Sequence, residues 1–209
     1  TYTWQVSSDG GTTWTTVTDG GTGPAYSNAT TATLNLTGTV ITNNGLRYRC
    51  YITNYCGNVT STNALLTVTY CLASSTTPSV AYISNVTCSS INNSSSYSGG
   101  GYIYYSSISQ TMSIGLSYPI TVTKGDGNTG QCGIWIDWNH DGDFVDAGEA
   151  ITVTGSGPYS ATIIPPAGAV ITSTIMRVRI NYNAAPPICG NTQYGETEDY
   201  VINVQAACT

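Results

Sequence analysis

Charge is what this sequence has least of. Only 8% of its 209 residues are charged, five of them Lys or Arg against eleven Asp or Glu, for a net charge of −6. Nucleic acid and anionic membranes are bound by clustered Lys and Arg, so both are excluded as partners. There is no run of about twenty apolar residues and no signal peptide, which predicts no membrane insertion. No stretch shows helical periodicity. Histidine occurs once, at His140. Neither HExxH nor a nucleophile elbow is present, and no Cys or Ser motif surrounds that histidine, so the common hydrolytic sites lack their ingredients. The seven cysteines contain no CxxC, which points to an extracellular disulfide set rather than a zinc or redox set. An odd number leaves one over, and Cys208 is the natural candidate. The sequons at Asn28, Asn35, Asn58, Asn85, Asn92 and Asn93 are chance matches in a chain this rich in Asn, Ser and Thr.

The few acids are concentrated. Asp137, Asp141, Asp143, Asp146 and Glu149 fall within residues 137–149, and Glu196, Glu198 and Asp199 sit together in GETEDY. Like charges at such density repel unless a cation or a base lies among them. In DWNHDGDFVDAGE the ligand-type residues Asp137, Asn139, Asp141 and Asp143 alternate, with Gly142 where a calcium loop turns tightly. Oxygen donors on a flexible loop suit calcium over zinc or copper. An EF-hand would carry Glu at loop position twelve; here that position is Gly148, and Glu149 follows. The preceding GIWIDW alternates as a strand does, so the loop joins strands. The predicted ligands are Asp137, Asn139, Asp141, Asp143 and Glu149. The competing reading is an acidic, solvated turn with no ion. His140 falls at a non-ligand phase and is expected to face solvent.

Along the chain, alternation predicts strands at YTWQV, around Trp14 to Val17, at TATLNLTG, at LRYRCYI and at NALLTVTY. Asp9-Gly10-Gly11 marks a hairpin. After a Cys-, Ser-, Thr- and Pro-rich passage, further strands are expected at SYPITVTK, QCGIWIDW, EAITVTG, YSATIIP, TIMRVRINY and EDYVINVQ. Residues 89–101 read as a polar loop. In TIMRVRINY, Ile175, Arg177 and Arg179 face one way and Met176, Val178 and Ile180 the other, predicting one wet face and one core face. The fold class is all-β, two β-sandwich domains in tandem. The divisions are residues 1–69, a linker at 70–78, a second domain at 79–205, and 206–209 as the start of a following linker or repeat.

The segments YTWQVSSDGGTTWTTV, ATLNLTG and GLRYRCYITNYCGNVTSTNALLTV resemble the immunoglobulin-like repeats of secreted Bacteroidota proteins. In that resemblance the first strands are missing, which implies a fragment of a longer chain or strands donated by another segment or chain. From about Cys71 to Val204, the ordered series YC, YISNV, WIDWNHDGDFVDAGE, MRVRINY, CG and YGETEDYVINV resembles the family named for its GEVED motif. Thr197 stands where the motif has Val. The run of strands without a helix makes this second domain a jelly-roll-like sandwich; the resemblance implies a loop length that accounts for Glu149, and export by the type IX route with attachment to, or release from, the outer cell surface.

In GETEDY, Glu196, Glu198 or Asp199 completes the calcium shell, with Glu198 the preferred ligand, or these acids pair with Arg177 and Arg179. Strand alternation allows both at once. Domain membership and nearness to strand ends favour the pairings Cys71 with Cys189 and Cys88 with Cys132. Cys50 pairs locally with Cys56 or with a residue upstream. Tyr102, Tyr104 and Tyr105 in GGGYIYYSS are the candidate ligand-stacking platform, the competing reading being half-buried sheet residues. The expected function is a non-enzymatic, calcium-stabilised module of a large secreted or cell-surface protein, serving adhesion or display. Its expected partners are neighbouring repeats of the same chain and surface glycans or other surface proteins. The alternative is an accessory substrate- or glycan-binding region of a secreted hydrolase such as a metallopeptidase.

Overall fold

The computed structural model describes residues 1–125, 127 and 130–207, so Cys208 lies outside the described residues. The chain divides into two compact units, Thr1–Tyr70 and Cys71–Thr209. Both are built of strands, as expected; the helical content of the described residues is two single 3-10 turns at Ile41–Asn43 and Pro78–Val80. Among the described residues no helix is long and apolar enough to cross a membrane.

The first unit contains β1 (Tyr2–Ser7), β2 (Thr15–Thr16), β3 (Ala25–Ser27), β4 (Asn35–Thr37), β5 (Arg47–Asn54), β6 (Gly57–Thr60) and β7 (Ala64–Leu65). One sheet has the order β2-β1-β5-β6, with β7 also on β5, while β3 and β4 pair separately. Period-two alternation divides its faces. Trp4 and Val6 of β1 and Tyr48 of β5 pack with Val17, Ala29, Leu34 and Leu36, while Arg47 and Arg49 fall on the opposite side. The Asp9 turn closes the β1-β2 hairpin as predicted. Hydrogen bonds from the Thr13 hydroxyl and backbone, and from the Ser7 hydroxyl, hold the Asp9 carboxyl well below the usual range. The Cys50 and Cys56 thiols are unbonded, correcting the local pairing. Alternation turns Cys50 into the interior of β5, whereas Cys56 lies exposed in the β5-β6 turn.

The second unit contains β8 (Ala73–Ser75), β9 (Ile83–Cys88), β10 (Ile91–Ser94), β11 (Tyr102–Ser113), β12 (Tyr118–Lys124), β13 (Gly130–Ile136), β14 (Ala150–Ile151), β15 (Tyr159–Ile163), β16 (Ser173–Tyr182), β17 (Gly190–Thr192) and β18 (Gly195–Gln205). A four-stranded sheet, β10-β9-β12-β15, faces a five-stranded sheet, β11-β18-β16-β13-β14, in which β11 and β18 are parallel. Ile83, Val86, Ile120 and Val122 from the first and Ile134, Met176, Val178 and Ile202 from the second form one core. Burial of such side chains at about 25 cal/mol per Å² of apolar surface drives the two sheets together.

Four expectations are corrected here. Residues 70–78, read as a linker, contain β8, which pairs in parallel with β17. The polar tract at 89–101 contains β10, because Ile91, fully buried, anchors it to β9 in the register Ile91↔Cys88. The arginine face of β16 is not wet. Arg177 and Arg179 are each 1% exposed, because β8, β17 and the chain leading to them form a third layer over that face. The bond Cys71–Cys189 ties this strap together, in agreement with the favoured pairing. Cys88 and Cys132 are unbonded. Cys132 lies opposite Ile180, whose partner Glu196 accepts from Ile83 N–H, whereas Cys88 stands at the other end of β9 from Ile83, five residues or about 16 Å along the strand.

Candidate functional site

The acidic loop is the connection between β13 and β14, which pair through Ile134↔Ile151 and Trp135↔Ala150. Its two ends are thus held side by side on a five-stranded sheet. Trp138 and Phe144, 4% and 2% exposed, anchor the loop by burial, and the Phe144 ring lies 4.9 Å from the Arg177 guanidinium carbon. Asp137, fully buried, accepts hydrogen bonds from the Asp141 and Gly142 backbone N–H at 3.2 and 3.0 Å. Gly142 has φ +100°, the left-handed conformation the sequence pattern reserved for glycine. Glu149, 1% exposed, accepts from Trp138 N–H at 3.0 Å and Asp146 N–H at 3.1 Å, clasping both ends of the loop. Burial raises its carboxyl to about 7, helped by the charges of Asp137 and Asp146 and opposed by those two hydrogen bonds.

With the ends clasped, Asp141, Asp143 and Asp146 converge: one carboxylate oxygen from each lies within 4.8 Å of the others. The Asn139 amide donates to Asp141 and Asp146 at 3.0 and 2.7 Å. The structure therefore divides the predicted ligand set. Asp141, Asp143 and Asn139 are together, while Asp137 and Glu149 shape the loop from its base. Asp146 joins the cluster instead. It was visible as an acid of the loop, but it falls outside the alternation that selected the others. His140 has φ +57° and is half-buried.

Glu198 is not near this cluster, which corrects its assignment as a ligand. In β18, Glu196 and Glu198 point between the two sheets, opposite Ile180 and Val178 of β16. Glu196 accepts from Ile83 N–H at 3.0 Å and Ser98 N–H at 2.7 Å. Glu198 accepts from the Ser95 hydroxyl at 2.7 Å and from the Tyr200 hydroxyl, which in turn accepts from the Asn93 amide. These two glutamates fasten the β10-to-β11 connection across the sandwich. No spacing in the sequence announces this, because the contacts join residues about a hundred positions apart.

Burial is the main cause that lifts Glu198 from 4.5 to about 7, with the Glu196 charge adding to it, and Glu196 is raised as well. A carboxyl with a raised folded-state value favours folding most below its unfolded value. That contribution is lost as pH rises through the folded value. In chelator, the stability of the parent chain relative to Glu198→Gln should therefore fall from pH 4.5 to about 7, because only the carboxyl can ionise in its buried site. The change expected is on the order of 3 kcal/mol, read from urea unfolding at several pH values.

On the other face of β18, Asp199 takes two parallel bonds from Arg177, Nε to Oδ1 at 2.9 Å and Nη2 to Oδ2 at 2.8 Å. The expected acid–arginine pairing holds for this residue. Arg177 Nη1 also donates to the carbonyls of Cys71 and Ile188, and Arg179 donates to those of Pro187, Ser74 and Gly190. Burial, with the nearby Arg177 charge, lowers Arg179 to about 10. The Tyr102 hydroxyl donates to Asp199 Oδ2 at 3.0 Å, and Tyr104 shares that face, 46% exposed. Tyr105 points inward and stacks on Tyr200 at 5.3 Å between ring centroids, so the three tyrosines do not form one platform.

Thr197 Oγ1 and Arg179 Nε are buried without a hydrogen-bond partner among the described residues. They belong to residues directly opposite in the β16-β18 pair. Because an unpaired buried hydroxyl is destabilising, Thr197→Val is expected to stabilise the unit by ~1 kcal/mol in urea unfolding.

Residues 131–203 match the family described as the GEVED domain. No curated protein matches the chain. Among solved structures, the chain is similar to the N-terminal four immunoglobulin domains of Dscam1 isoform 1.9, at 14% identity and TM-score 0.30, covering 98% of this chain and 37% of that one. It is also similar to the titin domains z1z2 in complex with telethonin, at 16% identity and TM-score 0.31, covering 100% and 82%. Another titin immunoglobulin tandem gives 11% identity and TM-score 0.32, covering 97% and 81%. The chain thus spans little over a third of the Dscam1 chain.

Proposed function

We propose, for a chain that carries a GEVED domain over residues 131–203, that it is a non-enzymatic extracellular module of a larger secreted or cell-surface protein. Calcium stabilises it, and it serves adhesion or surface display. The observation that carries this reading is the convergence of Asp141, Asp143 and Asp146 within 4.8 Å. The single ion pair among the described residues is Arg177–Asp199, so no basic side chain neutralises those three. An all-oxygen donor set of this kind suits a hard divalent ion of six to eight ligands. Asp141, Asp143 and Asp146 would hold the ion. Bound there, it would supply charge neutralisation, while Asp137 and Glu149 keep the loop's ends in place.

The fate of the other acids supports a non-enzymatic reading. A catalytic carboxylate pair must reach its substrate. Glu196, Glu198 and Asp199 are each 2% exposed or less and hydrogen-bonded in place.

Calorimetric titration with calcium, and thermal unfolding in calcium and in chelator, test the proposal on the parent chain and on Asp141→Ala. Calcium at about 100 times its Kd should stabilise the second unit by ~2.7 kcal/mol, with a rise of several degrees in Tm. Asp141→Ala should lose both. A flat titration and coincident melting curves would make the loop an ion-free turn and remove the basis for the reading.

A further inference from the structure

The outer face of the first unit's sheet carries two arginines that form no ion pair among the described residues. Arg47 and Arg49 lie two residues apart on β5, on the side away from the core. Same-face neighbours on a strand stand about 7 Å apart, where two guanidiniums repel. Neither has a carboxylate within ion-pair distance, since Arg177–Asp199 is the single ion pair among the described residues. Neutral groups orient them instead. Arg49 Nε donates to Gln5 Oε1 at 2.7 Å, and its guanidinium lies 4.1 Å over the Trp14 ring. Trp14 is itself held by its Nε1 donating to the Gly11 carbonyl at 2.9 Å. Arg47 Nη1 donates to Asn63 Oδ1 at 2.8 Å. The terminal nitrogens of Arg49 keep their donors for something else.

The surroundings say what that is. Register places Thr16 beside Gln5, and Thr3 and Thr60 on either side of Tyr51, so hydroxyls, amides and two aromatic rings frame the arginines. Arg177 and Arg179 are buried, which leaves Arg47 and Arg49, each half-buried, as the guanidiniums that reach solvent in a chain with net charge −6. The backbone of β5 is paired with β1 on one side and with β6 and β7 on the other, so an extended peptide finds no free edge beside the arginines.

The geometry points to a binding face for a carboxylate-bearing glycan, a uronic-acid oligosaccharide. The Arg47 and Arg49 forks match its carboxylates, and the hydroxyl and amide side chains around them match its ring hydroxyls. Trp14 and Tyr51 offer apolar surface to the C–H faces of the sugar rings. This goes beyond the calcium reading and lies in the other structural unit.

The test is calorimetric titration of the full chain with a glucuronate-containing tetrasaccharide, alongside a neutral tetrasaccharide and poly-glutamate. Saturable binding of the uronate is expected, weakening as salt is raised. Arg49→Gln and Arg47→Gln should each weaken it about tenfold or more, while Asp141→Ala should leave it unchanged. Arg47→Gln removes a guanidinium with one neutral partner, so it keeps the test decisive if Arg49→Gln loosens the Trp14 turn. Equal binding of the neutral sugar overturns the proposal, as does binding that survives both substitutions. So does the absence of any uronate binding. Poly-glutamate binding as tightly as the uronate would assign the face to an acidic polypeptide instead. A calcium response lost in Asp141→Ala beside intact uronate binding separates this face from the loop.

Discussion

Asp199→Ala is expected to destabilise the second unit by about 3–5 kcal/mol, the cost of leaving a buried charge without its partner. Arg177 and Asp199 have side chains 1% and 3% exposed, so water cannot replace the lost carboxylate. The guanidinium would keep its bonds to the Cys71 and Ile188 carbonyls, which are dipoles and not charges. The Tyr102 hydroxyl would lose its acceptor at the same time. Urea unfolding followed through the second unit's transition measures the effect. A paired replacement, Arg177→Met with Asp199→Leu, should be markedly less damaging than either single change, because it removes both charges together. A single-mutant loss below about 1 kcal/mol would mean that the pair is solvated and the strap does not seal the face.

Removing the Cys71–Cys189 bond, by Ala at both positions, should cost about 2–5 kcal/mol. It closes a separation of 118 residues, within which chain-entropy bookkeeping places the effect near the top of that range. The bond also holds the strap over β16. Arg177 Nη1 donates to the carbonyl of Cys71 and to that of Ile188, the neighbour of Cys189. The bridge and the buried ion pair therefore share one structure, and their losses should not add. The combined variant is expected to lose less than the two effects summed. Chemical denaturation of the four variants in parallel gives the coupling directly.

The strands and the acidic loop were legible because each is written in neighbouring residues. Alternation found β12, β13, β15 and β16 and told which of their residues share a face. Gly142 and the alternating acids identified a tight loop between strands, and Asp141 and Asp143 within it do converge. Alternation could not tell that Asp137 and Glu149 would turn their oxygens onto backbone N–H groups at the loop's base. Nor could it find β10, whose Ile91 is one apolar residue in a polar tract.

GETEDY shows where local pattern ends. Alternation put Glu196 and Glu198 on one face of β18 and Asp199 on the other, as the sheet register bears out. What each face meets was decided elsewhere in the chain: Ile83, Ser95 and Ser98 on one side, and Arg177 with Tyr102 on the other. The sequence by itself determined that this protein is all-β, that eight of its eleven acids fall in two clusters, and which side chains share a strand face, since each follows from period, composition and spacing. Only the tertiary structure decided that one acid cluster is buried and hydrogen-bonded while three acids of the other gather at the surface. Burial depends on which distant segments cover a face, and strand period carries no information about what covers it.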